Sequence, residues 1–242
     1  MEVHHHSHHG KKKWTEYFWE FLMLFLAVLC GFLAENQREH YIEKARAKQY
    51  IQSFYEDLHN NRATCSGIID FNKQKIGALN NLEACYDSLS RNWKATSCLA
   101  VLIKNSSFFW SVEFSDGTID QLKNAGGFRL LKKEDRDSII SYDKEIRNFG
   151  NTELTMVQQS QDNVRNNFRK LVNFKANKFL DSASYEAEIP LLFSDNRELL
   201  NEFFNDLLRY KRNINVQSNQ LIQIKEKTNR LIEYFNAKYH FD

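Results

Sequence analysis

An apolar stretch near the N-terminus, Trp14 to Ala34, is the feature that most constrains this chain. From Tyr17 to Ala34 the eighteen residues contain a single charge, Glu20. At the rise of an α-helix this length is roughly 27 Å, close to the hydrocarbon thickness of a bilayer. The stretch therefore predicts one transmembrane helix at residues 14–34, with the lipid bilayer as its partner.

A cleaved signal peptide is the competing interpretation, because the charge-free part of the stretch, 21–34, has only fourteen residues. Cleavage after Ala34 would place the bulky Phe32 where a small residue is required. A lipoprotein-type cut before Cys30 would follow Leu29, where a small residue is also expected. Side chains typical of a membrane–water interface precede the stretch, namely Lys11, Lys12, Lys13, Trp14, Tyr17, Phe18 and Trp19. We therefore predict an anchor that is retained.

The orientation of the anchor is predicted from its basic flanks. Lys11 to Lys13 cluster on the N-terminal tail, residues 1–13, whereas four basic residues are dispersed over 38–48. Three against four does not decide the orientation, because acidic neighbours carry little weight in the positive-inside rule. The tight cluster favours a cytoplasmic N-terminus. The domain at 35–242 would then be periplasmic, and the anchor would lie in a bacterial inner membrane.

One face of the predicted span carries Glu20, Ala27 and Gly31. The sequence favours a Glu20 carboxylate that snorkels towards the headgroups. The alternative is a small-x-x-x-small contact through Ala27 and Gly31, with Glu20 hydrogen-bonded across it. This stripe is the predicted transmembrane interface, either of a homo-oligomer or with another membrane protein. A monomer is an equally open interpretation.

Apolar residues at helical spacing predict an all-α fold in which the transmembrane helix continues into a soluble antiparallel helical bundle. Eight glycines and one proline in 242 residues argue against a sheet-rich fold. We expect the span to continue beyond Ala34 as a rigid helical stalk. Further along, Asn60-Asn61 could mark a turn or a polar face. Long helices near 133–172 and 196–237 should pack antiparallel, joined by a linker near 182–195.

Within those two long helices, Phe168 and Phe203 are expected to be buried, and Gly150-Asn151 could kink the first. The stretch 92–117 is the least regular: Cys98–Ile103 could be a short helix and Phe108–Phe114 a strand or a packed loop.

Local signals predict where two helices begin and where one ends. Thr118 with Gln121 has capping-box spacing, and so does Asp195 with Glu198 at the start of the last helix. Gly126-Gly127 is interpreted as a helix stop rather than as a ligand-cradling loop, which would need a preceding strand.

Three cysteines lie outside the anchor: Cys65, Cys85 and Cys98. In an oxidising periplasm two of them could pair, and Cys85 with Cys98 is the pair that we select. The sequence nevertheless favours buried free thiols.

The N-terminus MEVHHHSHH, followed by lysines and by EYFWEFLMLFLAVLCGFLAENQREH, resembles a family of uncharacterised bacterial single-pass membrane proteins. The match is specific over residues 1 to about 60 and looser around TIDQLKNAGGFRLL at 118–131. The resemblance implies an envelope protein of unassigned function and carries over no catalytic residue. It also implies that the histidine tract belongs to the native protein. That tract is a weak candidate for metal binding, through His4, His5, His6, His8 and His9.

No catalytic residue, metal site or cofactor is predicted in the remaining chain. A lone Glu56-x-x-His59 pair lacks the further ligands of a di-iron bundle and is interpreted as a solvated helix face. The 33 basic and 31 acidic residues are interspersed, which argues against a nucleic-acid partner. We therefore expect a membrane-anchored scaffold or accessory subunit of a cell-envelope complex, not an enzyme. The alternative is a periplasmic ligand-sensing module that signals through a partner.

Overall fold

A computed structural model of the chain describes residues 13–94, 97–106, 110–177, 191–193 and 195–241. Its α-helices, in chain order, are α1 Trp14–Ala78, α2 Leu82–Arg91, α3 Ser97–Ser106, α4 Gly117–Asn124, α5 Lys133–Thr152, α6 Gln159–Leu171, α7 Phe174–Asn177 and α8 Arg197–Tyr239. The 3-10 turns Leu79–Asn81 and Gly127–Leu130 follow α1 and α4, and the π-helical turn Glu153–Gln158 joins α5 to α6. Within these ranges no β-strand occurs, and the all-α prediction is confirmed.

The chain divides into two compact units, Met1–Gln49 and Tyr50–Asp242, called unit 1 and unit 2 below. Helix α1 begins in the first and ends in the second, so the predicted continuation of the helix beyond Ala34 is confirmed. In unit 1, α1 contains an apolar stretch that is long enough to cross a membrane, and none of it is buried.

Unit 2 is built on α8, which runs antiparallel to α5 and α6 as predicted. Asp135 near the start of α5 bonds to Lys238 near the end of α8, whereas Asn167 in α6 bonds to Asp206 near the start of α8. Helix α1 also runs antiparallel to α8, because Phe54 packs on Phe235 while Asn72 bonds to Gln217.

The apolar stripes of these helices form the core because helical spacing places them on one face. Phe203 is buried with 1% of its surface exposed, as predicted. Phe168 is only half-buried and packs at the edge of the same core, so the sequence overstated its burial.

Between α5 and α6 the helix changes its pitch but does not stop. The predicted kink at Gly150-Asn151 is replaced by the π-helical turn that starts at Glu153. Such a turn contains one residue more than a turn of α-helix, and it is frequent at functional sites.

Both predicted capping boxes are wrong, because other residues supply the cap. Thr118 lies inside α4, and its backbone N–H donates to Asp57 of α1 over 3.3 Å. Asn196, not Asp195, caps α8 by accepting from the backbone N–H of Leu199 over 3.1 Å. The helix stop is confirmed: Gly126 adopts the left-handed conformation, with φ of 64°, after α4.

Cys85 and Cys98 form a disulfide between α2 and α3. The expectation of free thiols is wrong for this pair, because the turn after α2 brings the two Cα atoms within 5.7 Å. Cys65 is free and buried in unit 2, as expected.

Of the irregular stretch, the predicted short helix is present as α3. Residues 110–116 form neither a strand nor a helix, and Phe108 lies outside the described residues.

Candidate functional site

The residues of the predicted transmembrane interface all lie in the exposed apolar part of α1. Glu20, Ala27 and Gly31 share one face by their helical spacing, and each is exposed. A methyl group added at Gly31 would meet no atom within 4 Å. This face is therefore open to a second helix as well as to lipid.

The predicted weak metal ligands His4 to His9 lie outside the described residues. Among residues that the structure describes, no group of three or more His, Cys, Asp or Glu could hold a metal ion. The interpretation of Glu56 and His59 as a solvated face is wrong for the histidine, which is half-buried. Its ring packs 4.7 Å from that of Tyr55, and its Nδ1 lies 3.2 Å from the guanidinium of Arg62.

A buried carboxylate joins the start of α5 to the end of α8. Asp135 has no exposed surface and accepts three short hydrogen bonds. The ammonium of Lys238 donates over 2.6 Å, the hydroxyl of Tyr234 over 2.7 Å and the hydroxyl of Tyr239 over 2.6 Å. Its position in the first turn of α5 also favours a negative charge.

These contacts set the pKa of Asp135. Burial alone would raise it, but the bonds from Lys238, Tyr239 and Tyr234 outweigh burial and hold the pKa below its ordinary value. Burial, followed by the bond to the carboxylate, raises the pKa of Tyr239 to about 12. The cluster is therefore an ionised carboxylate with its counter-charge in place.

A second buried carboxylate, Glu153, lies at the start of the π-helical turn. It is 3% exposed and accepts from the amide of Gln217 over 2.6 Å. The backbone N–H of Val112 donates to both of its oxygens over 3.2 Å, and the hydroxyl of Ser111 donates over 3.4 Å. The carbonyl of Gln217 in turn accepts from the amide of Asn72 over 2.8 Å.

Burial raises the pKa of Glu153, and the hydrogen bonds from Val112, Gln217 and Ser111 do not fully oppose it. None of those three donors carries a charge. The carboxylate is thus satisfied by neutral groups, two of which belong to the irregular segment 110–116.

Lys75 lies one turn beyond Asn72 on the same face of α1, and it is buried. Its ammonium donates to the hydroxyl of Tyr210 over 3.0 Å and lies 4.7 Å from the ring centre of Phe71. Burial, with a smaller contribution from Arg165, lowers the pKa of Lys75 to about 8. The middle of unit 2 therefore carries a polar layer inside an apolar bundle.

Asn61 of α1, which is fully buried, holds the same segment near its C-terminal end. Its carbonyl accepts from the backbone N–H of Ser115 over 2.6 Å, and its amide donates to the Ser115 carbonyl over 3.0 Å. The prediction that Asn60-Asn61 marks a turn or a polar face is therefore wrong for Asn61, which is buried within α1. It satisfies a backbone unit of another part of the chain.

On the surface, a groove of about 540 Å³ lies between α5 and α8. Its lining includes Glu145, Glu226, Lys227 and Arg230. The ammonium of Lys227 is already bound to the carboxylate of Glu145 at 2.6 Å. The groove is polar and open, and the ion pair between Lys227 and Glu145 neutralises part of its charge.

Sequence reasoning missed Asp135, Glu153 and Asn61. The only available signal was a polar residue interrupting an apolar stripe, which is common on helices. Comparison with protein-family models, with curated proteins and with solved structures found no match to this chain. The resemblance of residues 1–60 stays a prediction.

Proposed function

We propose that this protein is a single-pass membrane protein of the bacterial cell envelope that acts as a scaffold or accessory subunit. The observation that carries the proposal is the apolar stretch of α1, none of which is buried, in a helix that continues to Ala78. Large exposed apolar patches mark contacts with a membrane or with another protein. An anchor continuous with a helical bundle suits a part that holds other proteins at the membrane.

The disulfide supports the periplasmic side for unit 2. Disulfides persist in oxidising compartments and are rare in the bacterial cytosol. Cys85 and Cys98 are bonded, and both follow the anchor in the chain. This agrees with the lysine cluster of residues 11–13, which favours a cytoplasmic N-terminus in an inner-membrane protein.

Topology is tested with two reporters fused after Asp242. A reporter that is active only in the cytoplasm should be silent, and one that is active only in the periplasm should be active. The reverse pattern would overturn the proposed orientation.

The redox state of unit 2 is tested by thiol alkylation in intact cells followed by unfolding. Cys85 and Cys98 should react only after reduction. A Cys65→Ser variant should show the same two protected thiols, because Cys65 is not part of the disulfide. Alkylation of Cys85 without reductant would contradict the periplasmic assignment.

Self-association through the face of Glu20, Ala27 and Gly31 is part of the proposal. Helices in lipid gain little from apolar contact, so close backbone approach and interhelical hydrogen bonds decide association. In a membrane two-hybrid assay Gly31→Leu should weaken association, whereas Leu29→Ala, off this face, should not. Equal effects of both substitutions would mean that another face is used.

The accessory role itself is tested by purification from membranes in a gentle detergent. We expect other envelope proteins to be retained with the full chain and lost from a variant in which residues 14–34 are replaced by an unrelated span. Purification of the intact chain alone would count against the role.

A further inference from the structure

A second surface groove, called the α2–α8 groove below, has an apolar floor and a volume of about 330 Å³. Leu82 and Tyr86 of α2 and Phe204 and Leu208 of α8 form the floor. The rings of Tyr86 and Phe204 meet edge-to-face with their centroids 5.2 Å apart. None of the described residues fills the groove, and Leu208 keeps 37% of its surface exposed in it.

The two helices that form the groove are fixed relative to each other. They run antiparallel, because Tyr86 contacts Phe204 while the carbonyl of Ser90, one turn further along α2, accepts from Arg197 over 2.8 Å. On the buried face of α2, the disulfide of Cys85 ties this helix to α3. The walls of the groove are therefore in place before a ligand binds, which lowers the ordering cost of binding.

Three polar side chains also line the groove: Glu83 of α2 and Asn201 and Asn205 of α8. Within the part of the chain that the structure describes, none of these three side chains makes a hydrogen bond or an ion pair to another protein group. Asn201 and Asn205 lie one turn apart, so their amides project on the same side of α8. The groove thus combines an apolar floor with one carboxylate and two amides that are available to a ligand.

The charge of the groove is negative. Glu83 is the one charged residue among those that line it. By helical spacing, Asp87 follows Glu83 on the same face of α2, and Glu198 lies on the same face of α8 as the two amides. Arg197 is already bound to the carboxylate of Asp195 at 3.5 Å. A cleft lined by one sign of charge attracts ligands of the opposite sign, here cations.

We propose that the α2–α8 groove is a binding site for a small amphipathic amine, with an aromatic or short aliphatic body and one ammonium group. The body covers the apolar floor. The ammonium lies between the carboxylate of Glu83 and the ring of Tyr86, both of which attract a cation. A volume of about 330 Å³ is at the lower end of small-molecule sites. This binding activity goes beyond the accessory role and does not depend on it.

The probe is 2-phenylethylamine, titrated by calorimetry into the full chain in detergent, with the heat of detergent alone subtracted. A Kd on the order of 0.1–1 mM is expected for a ligand of this size. Two molecules with the same ring are the controls. The neutral 2-phenylethanol should bind about threefold more weakly or worse, and the anionic phenylacetate about tenfold more weakly or worse. Equal binding of the three, or no binding of the amine, would overturn the proposal.

The role of Glu83 is tested by a pair of matched substitutions at exposed positions. Glu83→Gln should weaken binding of the amine by about threefold or more and leave binding of the alcohol unchanged. Glu233→Gln, near the other end of α8, removes the same charge outside the groove and should change neither. Equal effects of the two substitutions would show that the amine responds to the net charge of the protein and not to this site.

The location of binding is tested with 3-fluorotyrosine at position 86 of the full chain. Its fluorine resonance should shift on addition of 2-phenylethylamine, with the Kd that calorimetry gives. In a Leu208→Trp variant the larger side chain occupies the groove, so both the shift and the binding heat should be lost. An unmoved resonance, or full binding by this variant, would overturn the site. The accessory role would still stand, because retention of envelope proteins in detergent tests it separately.

Discussion

At the start of α5, Asp135 meets an ammonium and two phenol hydroxyls, whereas Glu153, at the start of the π-helical turn, meets only neutral donors. Both carboxylates are buried in the same helical run and both face α8. The first is compensated by charge and joins two helices. The second is compensated by dipoles and holds main chain. A buried acid can therefore join two helices or bind the main chain of another segment, according to its partners.

The two environments also shift the pKa in opposite directions. The contacts of Asp135 lower its pKa, so its stabilising effect is present above the ordinary value of 3.8 and is lost as the pH falls through the folded pKa. Burial raises the pKa of Glu153 above the ordinary value of 4.5. Its stabilising effect is fully present below 4.5 and is lost as the pH rises through the folded pKa.

The largest effect is expected from Asp135→Ala. Removing the carboxylate leaves Lys238 without its counter-charge and two hydroxyls without their acceptor, which should lower the free energy of unfolding by about 3–5 kcal/mol. The measurement is urea unfolding of the full chain in detergent, followed by near-ultraviolet circular dichroism. Asp137→Ala is the control, because the side chain of Asp137 is exposed and should cost less than about 0.5 kcal/mol. Equal losses would show that the hydrogen bonds of Asp135 are not what joins α5 to α8.

An intermediate effect is expected from Gln217→Ala. The substitution removes the donor to Glu153 and the acceptor of Asn72, both buried, and should cost about 1–3 kcal/mol. Gln223→Ala, at an exposed position of the same helix α8, should stay within about 0.5 kcal/mol of the wild type. The same urea titration measures both. If Gln223→Ala costs as much, the polar layer does not stabilise unit 2.

The smallest and most specific effect concerns pH. In Glu153→Gln the new amide is uncharged at every pH, so the stability of this variant relative to the wild type should improve as the pH rises from about 4 to about 8. Asp135→Asn should behave in the reverse way, with its largest loss near neutral pH and a smaller loss below 3.8. Unfolding free energies measured from about pH 2 to about pH 8 give both slopes. Parallel slopes would mean that the two carboxylates do not differ as described.

The long helices could be predicted from sequence because a stripe such as Phe203, Leu207 and Ile214 is a local signal. Their antiparallel packing followed from the lengths of the stripes and of the linker. Half-burial of Phe168 could not be predicted, because it depends on tertiary packing and not on periodicity.

The caps and the polar contacts depend on parts of the chain that are distant in sequence. Thr118 has the spacing of a capping box, yet Asp57 supplies the cap from sixty-one residues away. Asn61 and Glu153 look like ordinary polar positions in the sequence, and only the fold shows that they bond to the backbone of Ser115 and Val112. The disulfide between Cys85 and Cys98 was identified as a possible pair, but sequence alone could not show that α2 and α3 approach closely enough.

The buried thiol of Cys65 can report when unit 2 opens, because it reacts only when it becomes exposed. Burial raises the pKa of this thiol to about 11, so the folded protein offers an alkylating reagent neither access nor thiolate. In a Cys30→Ser background, with the disulfide intact, alkylation of Cys65 would mark each molecule at the first opening that exposes this thiol. The opening rate of unit 2 could then be followed in living cells, without adding a probe.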